Sequence, residues 1–207
     1  MSLISSKGRP LLGSIEVPGD KSISHRALIL GALAIGKTKI TGLLEGEDVI
    51  ATAVAMRQLG AIIEPVQKDG FRNWTVIGRG VGGLSEPEQI LDMGNSGTAA
   101  RLLLGLLATH SFKTTMIGDK SLSSRPMERV MAPLRNIGCN FISRSGGKLP
   151  ITTIGTINAL PSDFTLKIPS AQIKSALLLA GLNSPGITRI IEKNPSRDHT
   201  EKMLKYF

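Results

Sequence analysis

Three stretches of this chain are apolar at nearly every position, where a surface helix would be apolar only at every third or fourth. They are Arg26-Ala27-Leu28-Ile29-Leu30-Gly31-Ala32-Leu33, Arg101-Leu102-Leu103-Leu104-Gly105-Leu106-Leu107 and Ser175-Ala176-Leu177-Leu178-Leu179-Ala180-Gly181-Leu182. A helix lying on a surface shows a stripe, so a helix apolar all round is buried. Each follows a short strand and a polar turn: Val17-Pro18-Gly19-Asp20-Lys21-Ser22, Asp92-Met93-Gly94-Asn95-Ser96-Gly97 and Lys167-Ile168-Pro169-Ser170-Ala171-Gln172. Each runs into a β-rich segment, at Thr38–Thr41, Thr114–Ile117 and Ile187–Ile191. A second, amphipathic helix comes next; in the first unit Val49, Ala53, Met56 and Leu59 recur at three- and four-residue steps. Gly60 and Gly138 sit where such helices stop. Two strands close the first unit, at Ile62–Val66 and Trp74–Ile77.

The pattern predicts an α/β (α+β) fold of repeated β-α-β-α-β-β units with buried helices. The repeat is close to regular: Gly19 to Gly94 is 75 residues, and so is Arg26 to Arg101. The third unit reaches only Met203-Leu204-Lys205-Tyr206-Phe207, the end of its second helix, and is expected to be truncated with two strands missing.

Composition narrows the function classes. With 207 residues and 41% apolar positions the chain can bury a real core. Lys and Arg number 25 against 16 Asp and Glu, a net charge of +9, which favours anionic partners. Aromatic residues are 3% of the chain, too few for the stacking platforms of single-stranded nucleic-acid binders. The single cysteine, Cys139, excludes an internal disulfide, and His25, His110 and His199 lack metal-ligand spacing. No apolar run approaches bilayer thickness and Met1–Pro10 has no signal-peptide core, so a cytoplasmic protein without membrane or metal is expected.

The charge is also placed against local electrostatics. Helix N-termini carry partial positive charge and disfavour Lys and Arg. Yet Lys21 stands at the mouth of the first buried helix, Arg125 precedes Pro126, which reads as a first helical residue, and Arg197 opens the last helix. A bound anion would reverse the sign of that cost. Ser22 and Arg26, four apart, share a helix face, and Gly94 and Gly97 permit close backbone approach. His25, His199 and Cys139 read as structural, and Lys120 as solvated surface.

These residues carry a resemblance. Pro18-Gly19-Asp20-Lys21-Ser22-Ile23-Ser24-His25-Arg26, Gly94-Asn95-Ser96-Gly97-Thr98, Ser124-Arg125-Pro126-Met127, Ser170-Ala171-Gln172-Ile173-Lys174-Ser175 and Ser196-Arg197-Asp198-His199-Thr200-Glu201-Lys202 resemble the 5-enolpyruvylshikimate-3-phosphate synthase family, in the right order over nearly the whole chain. The resemblance implies the enolpyruvyl transferase fold: two domains, each of three such units around a pseudo-threefold axis, with buried helices aimed into the cleft between them. Residues 1–20 would be strands of the other, mostly missing domain. Residues 21–207 would be an incomplete N-terminal substrate-binding domain of three units, about 21–80, 81–160 and 161–207.

It further implies transfer of the enolpyruvyl group of phosphoenolpyruvate to the 5-hydroxyl of shikimate 3-phosphate, by addition and elimination through a tetrahedral intermediate and without a cofactor. Lys21 would touch both substrates and be the catalytic candidate. Ser22, Arg26, Ser170, Arg197 and, more weakly placed, Ser196 would hold shikimate 3-phosphate, with Gln172 between the substrates. Asn95, Gly97 and Arg125 would line the phosphoenolpyruvate site, which in the family also accepts glyphosate. Ala171 departs from the Ser-Ser-Gln version of the motif, removing one hydroxyl contact. The acid–base carboxylates would lie in the missing C-terminal half, the expected protein partner, so the chain alone is expected to be inactive. The competing readings are a non-catalytic remnant that binds phosphate weakly and a basic nucleic-acid-binding module.

Overall fold

Each of the three polar turns runs into a helix that starts ahead of its apolar stretch. In the computed structural model, which describes residues 3–10, 12–68 and 71–207, the first buried helix is α1 (Lys21–Leu33), capped by Asp20, whose carboxylate accepts from Ile23 N at 2.9 Å. The second is α3 (Gly97–Leu107), capped by Ser96 accepting from Ala99 N. The third is α6 (Ala171–Leu182), capped by Ser170 accepting from Ile173 N. Each cap satisfies a donor that the first turn would otherwise leave open.

Around these helices strands and further helices alternate along the chain. After α1 come β1 (Ile35–Thr41), α2 (Glu47–Gln58), β2 (Ile62–Lys68) and β3 (Phe71–Arg79), which form an antiparallel sheet ordered β1-β3-β2. Then β4 (Leu91–Asp92) leads into α3, β5 (Lys113–Ile117), α4 (Lys120–Ser123), α5 (Glu128–Arg135), β6 (Asn140–Arg144) and β7 (Lys148–Ile154), with sheet order β4-β5-β7-β6. Finally β8 (Asp163–Leu166), α6, β9 (Arg189–Glu192) and α7 (His199–Leu204) follow, β8 and β9 pairing in parallel. This is the mixed α/β architecture expected from the hydrophobic pattern.

The core lies where the buried helices meet: Leu28 and Ile29 of α1, Leu102, Leu103 and Leu104 of α3 and Ala176 and Leu177 of α6 are all sealed from solvent. The axes of α3 and α6 approach through Gly105, where a Cβ would stand 2.1 Å from the carbonyl oxygen of Ala176. Only a residue without a side chain permits that approach.

One local expectation is corrected. Pro126 is not a first helical residue: α5 starts at Glu128 behind a Met127 cap, so Arg125 sits in the link between α4 and α5. Among the described residues up to Asp20 no helix or strand is formed, and residues 1, 2 and 11 of the expected strands lie outside the described set. A strand of another domain would take its backbone hydrogen bonds from partners outside this chain.

Candidate functional site

The N-terminal turns of α1, α3 and α6 come together at one end of the helix cluster and share a device. In each, the fifth residue of the motif bonds the carbonyl four residues back. Arg26 Nη1 donates to Ser22 O at 2.9 Å, Arg101 Nη1 to Gly97 O at 3.1 Å, and Ser175 Oγ to Ala171 O at 2.6 Å. The remaining donors cross between helices. Arg26 Nη2 donates to Ser175 Oγ of α6 at 2.7 Å and its Nε to Thr200 Oγ1 of α7 at 2.6 Å. Arg101 Nη1 also reaches Gln172 Oε1 at 3.2 Å, and Gln172 Nε2 donates to Thr98 Oγ1 at 3.0 Å.

Two clusters result, with α6 between them. On one side stand Ser22, Arg26 and Arg197, whose Nη1 lies 3.4 Å from Ser22 Oγ. Lys21 joins them at the first position of α1, ion-paired to Asp48. On the other side Arg125 Nη2 donates to Asn95 Oδ1 at 3.1 Å and to Ser121 Oγ at 3.0 Å. Asn95 in turn donates Nδ2 to Asp119 Oδ2 at 2.6 Å, which fixes the amide so that its oxygen faces the arginine. Gly97 opens α3 beneath the guanidinium groups, a Cβ there falling 2.9 Å from Arg101 Nη1 and 3.2 Å from Arg125 Nη1. Arg101, Arg125, Arg129, Ser170 and Gln172 line a cavity of about 360 Å³. A separate cavity of about 280 Å³ around Thr109, His110 and Asn183 holds none of these basic residues.

Ser196 is placed differently from the other candidates. Its hydroxyl donates to Glu192 Oε1 at 2.6 Å, and its backbone carbonyl lies 3.5 Å from Lys174 Nζ. It belongs to the framework under Arg197 rather than to the row of cations.

The electrostatics of these cations are set by burial and by one another. Burial and then the charge of Arg197 lower the pKa of Arg26; burial and then Arg125 and Arg129 lower that of Arg101. The Asn95 amide, then the Leu122 N–H, hold Asp119 below the ordinary carboxylate range. The carboxylates beside these cations are engaged: Asp20 caps α1, Asp48 pairs with Lys21, Asp119 holds Asn95, and Glu192 and Glu201 hold Lys174. His25 is wholly buried with Nδ1 at 2.7 Å from Thr52 Oγ1, and burial pushes its pKa down to about 4. Cys139 is buried and its thiol pushed up to about 12. His199 lies half-buried 3.9 Å from Asp20, and Lys120 is exposed, as read from the sequence.

A family model described as EPSP synthase (3-phosphoshikimate 1-carboxyvinyltransferase) matches residues 5–207. The chain belongs to the EPSP synthase family. It is 61% identical over 206 residues to the 3-phosphoshikimate 1-carboxyvinyltransferase of Parvibaculum lavamentivorans, covering 100% of this chain and 45% of that protein. The Rhodospirillum rubrum protein of the same name is 58% identical, with 99% and 46% covered. The solved EPSP synthase of Acinetobacter baumannii superposes with a TM-score of 0.88 at 45% identity, over 94% of this chain and 43% of that one. The chain thus spans a little under half the length of these EPSP synthases.

Four residues of this hydrogen-bonded cluster are not singled out by the sequence pattern: Thr98, Arg101, Ser175 and Thr200. Arg101 was within reach, because it stands 75 residues after Arg26 in the same place of the repeat. Ser175 lay inside the quoted motif. Thr200 is 174 residues from the arginine it accepts from, a pairing that only the fold reveals. No helix of the described residues is long and apolar enough to cross a membrane, and no group of metal-binding side chains occurs among them.

Proposed function

We propose that this chain forms one wall of the site in which a 3-phosphoshikimate 1-carboxyvinyltransferase joins phosphoenolpyruvate to shikimate 3-phosphate. The observation that carries this reading is the convergence of Arg26, Arg101, Arg125 and Arg197, each donating to neutral oxygens, at the N-terminal ends of three buried helices. Both substrates are multiply charged anions, which such donors and helix ends hold.

In the reaction the 5-hydroxyl of shikimate 3-phosphate gives its proton to a base as its oxygen bonds to C2 of phosphoenolpyruvate, and an acid delivers a proton to C3. A proton then leaves C3 and phosphate leaves C2. Ser22, Arg26, Ser170 and Arg197 hold shikimate 3-phosphate, with Ser196 supporting them from below. Asn95, Gly97 and Arg125 shape the phosphoenolpyruvate side. Gln172, tied to Arg101 and Thr98, separates the two. Lys21 contacts both once it leaves Asp48. The proton transfers need further acid–base groups, since the carboxylates at hand are occupied. On this reading residues 21–207 belong to one domain built of three units around a pseudo-threefold axis. Residues 1–20, with Leu12 and Ile15 exposed, pair with the second domain.

The test is phosphate release from the two substrates, by the chain alone and after mixing with the separately expressed remainder of the Parvibaculum protein. No turnover alone, turnover on mixing and its loss in Lys21→Ala are expected. Turnover by the chain alone, or mixing without effect although shikimate 3-phosphate binds, would overturn the reading.

A further inference from the structure

Arg197 reaches the site from a loop whose own side chains stay out of the core, whereas Thr200 stands on α7, which packs Met203 and Leu204 against it. Between β9 and α7, Lys193, Asn194, Pro195, Arg197 and Asp198 are exposed, and no apolar side chain of that stretch enters the core. Between flanks that apolar packing anchors, the loop itself is tied by Lys174 on α6. Its side chain is 7% exposed, and its Nζ lies 2.7 Å from Glu192 Oε2, 2.6 Å from Glu201 Oε1 and 3.5 Å from the carbonyl oxygen of Ser196. Glu192 closes the loop on itself by accepting from the Ser196 hydroxyl and backbone N–H. One ammonium therefore ties the strand before the segment, its middle and the helix after it to the helix that carries Ser170, Gln172 and Ser175.

We infer that Lys174 is a positioning residue: with Glu192 and Glu201 it sets Arg197 and Thr200 against α1, and so sets the guanidinium of Arg26. Stability alone does not account for the cluster. Taking an ammonium and a carboxylate out of water costs several kcal/mol per ion, and an apolar trio of similar size would serve packing as well or better. A directional ionic clamp instead selects one arrangement of an exposed loop. The clamp also has an excess negative charge: one cation faces two carboxylates, and the charge of Glu201 acts favourably on Arg26, opposing the effect of Arg197. The loop that brings a second cation toward Arg26 thus carries part of the compensation for it.

This inference rests on the reading of Arg26 and Arg197 as the shikimate 3-phosphate side of the site, and the experiment separates the two. Lys174→Met and Lys174→Arg are compared with the unsubstituted chain by titration with shikimate 3-phosphate, by amide hydrogen exchange over residues 193–200 and by the Nε–H resonances of Arg26 and Arg101. Lys174→Met is expected to weaken binding tenfold or more, to speed exchange over 193–200 and to shift Arg26 while leaving Arg101 in place. Lys174→Arg is expected to restore binding to within about threefold. Wild-type affinity in Lys174→Met, or no rescue by arginine, would overturn the inference. If the unsubstituted chain does not bind shikimate 3-phosphate, the substrate reading fails, and exchange over 193–200 with the Arg26 resonance still decides the clamp. If Lys174→Met does not fold, Glu201→Gln, at a partly exposed side chain, is judged by the same readouts and the same outcomes.

Discussion

Replacing Gly105 by alanine tests how the packing of two buried helices sets the geometry of the site. A Cβ at this position would stand 2.1 Å from the Ala176 carbonyl oxygen, 2.5 Å from its carbon and 2.6 Å from its Cα. All three are backbone atoms, so no rotamer change relieves the clash, and α3 and α6 must separate by about 1 Å to restore an ordinary carbon–oxygen contact of roughly 3.3 Å. Overpacking of this kind costs about 1–3 kcal/mol, and a backbone clash belongs at the upper end. Alanine regains about 1 kcal/mol of helix propensity over glycine, which leaves about 2 kcal/mol of destabilisation. For a chain of this size that is a fall of about 4–8 °C in the midpoint of thermal unfolding. The separation also stretches the bonds from Arg101 to Gln172 and from Gln172 to Thr98, now 3.2 and 3.0 Å, so affinity for shikimate 3-phosphate falls as well. Thermal unfolding followed by circular dichroism and by the fluorescence of Trp74 measures the first effect. Gly8→Ala, with nothing within 4 Å of its Cβ, is the control. A midpoint for Gly105→Ala within about 1 °C of the control refutes the argument, because the helices would then not be in backbone contact.

The other predictions concern the site, a buried imidazole and the exposed amino-terminal segment. Gly97→Ala pushes the ends of Arg101 and Arg125 aside; in the complemented enzyme glyphosate, the longer molecule, loses about tenfold more affinity than phosphoenolpyruvate, and equal losses would remove the steric account. His25 stays neutral when buried, so as pH falls from 6.5 toward about 4 the unfolded chain takes up a proton that the folded chain refuses, and about 3 kcal/mol of stability present above pH 6.5 is lost in that window. Urea midpoints at pH 7 and 4.5 should differ less in His25→Gln, and identical differences would show that another group governs the acid limb. Leu3, Ile4, Leu12, Ile15 and Val17 are each at least 77% exposed, so the isolated chain should self-associate with concentration and Leu12→Ser/Ile15→Ser should reduce it. Light scattering that finds a monomer at all concentrations would contradict this.

The hydrophobic code showed the buried halves of the principal helices and stopped where they become polar. The apolar stretch beginning at Arg26 marks only part of α1; Lys21 and Ser22 read as a turn because their side chains are polar, yet behind the Asp20 cap they are helical. Gly97, Ala171 and Gln172 likewise read as turns and are helical. Periodicity assigns the apolar run of a helix, so candidate site residues at its mouth lie beyond its reach. The four-residue helix α4 has no period to detect and exists through its Asp119 cap. The strand expected near Val17 needed a partner that a local reading cannot supply. Contacts such as Arg26 to Thr200 or Lys174 to Glu192 depend on which elements become neighbours, and that is fixed by packing rather than by local pattern.

How the arginines are partnered divides them into two groups, while Lys21, at the mouth of α1, pairs with Asp48. Lys174, Arg135, Arg189 and Lys202 each meet a carboxylate, as charges placed for stability or position do. Arg26, Arg101, Arg125 and Arg197 donate only to hydroxyl, amide and carbonyl oxygens, and form no ion pair to Asp or Glu among the described residues. Burial and a neighbouring guanidinium act against Arg26 and Arg101, and folding alone gives no reason to gather four such groups at helix ends. A bound anion offsets the repulsion and the field of the helix ends together. Shikimate 3-phosphate at a hundred times its dissociation constant should therefore stabilise the fold by about 2.7 kcal/mol. That is an increase of about 5–11 °C in the unfolding midpoint of a chain this long. Chloride at equal ionic strength should not reproduce it, and Arg26→Gln should abolish most of it while altering the ligand-free midpoint little, since Ser175 and Thr200 already bond each other at 2.7 Å. An equal gain in Arg26→Gln would mean that the anion is held elsewhere and that these arginines are surface charge.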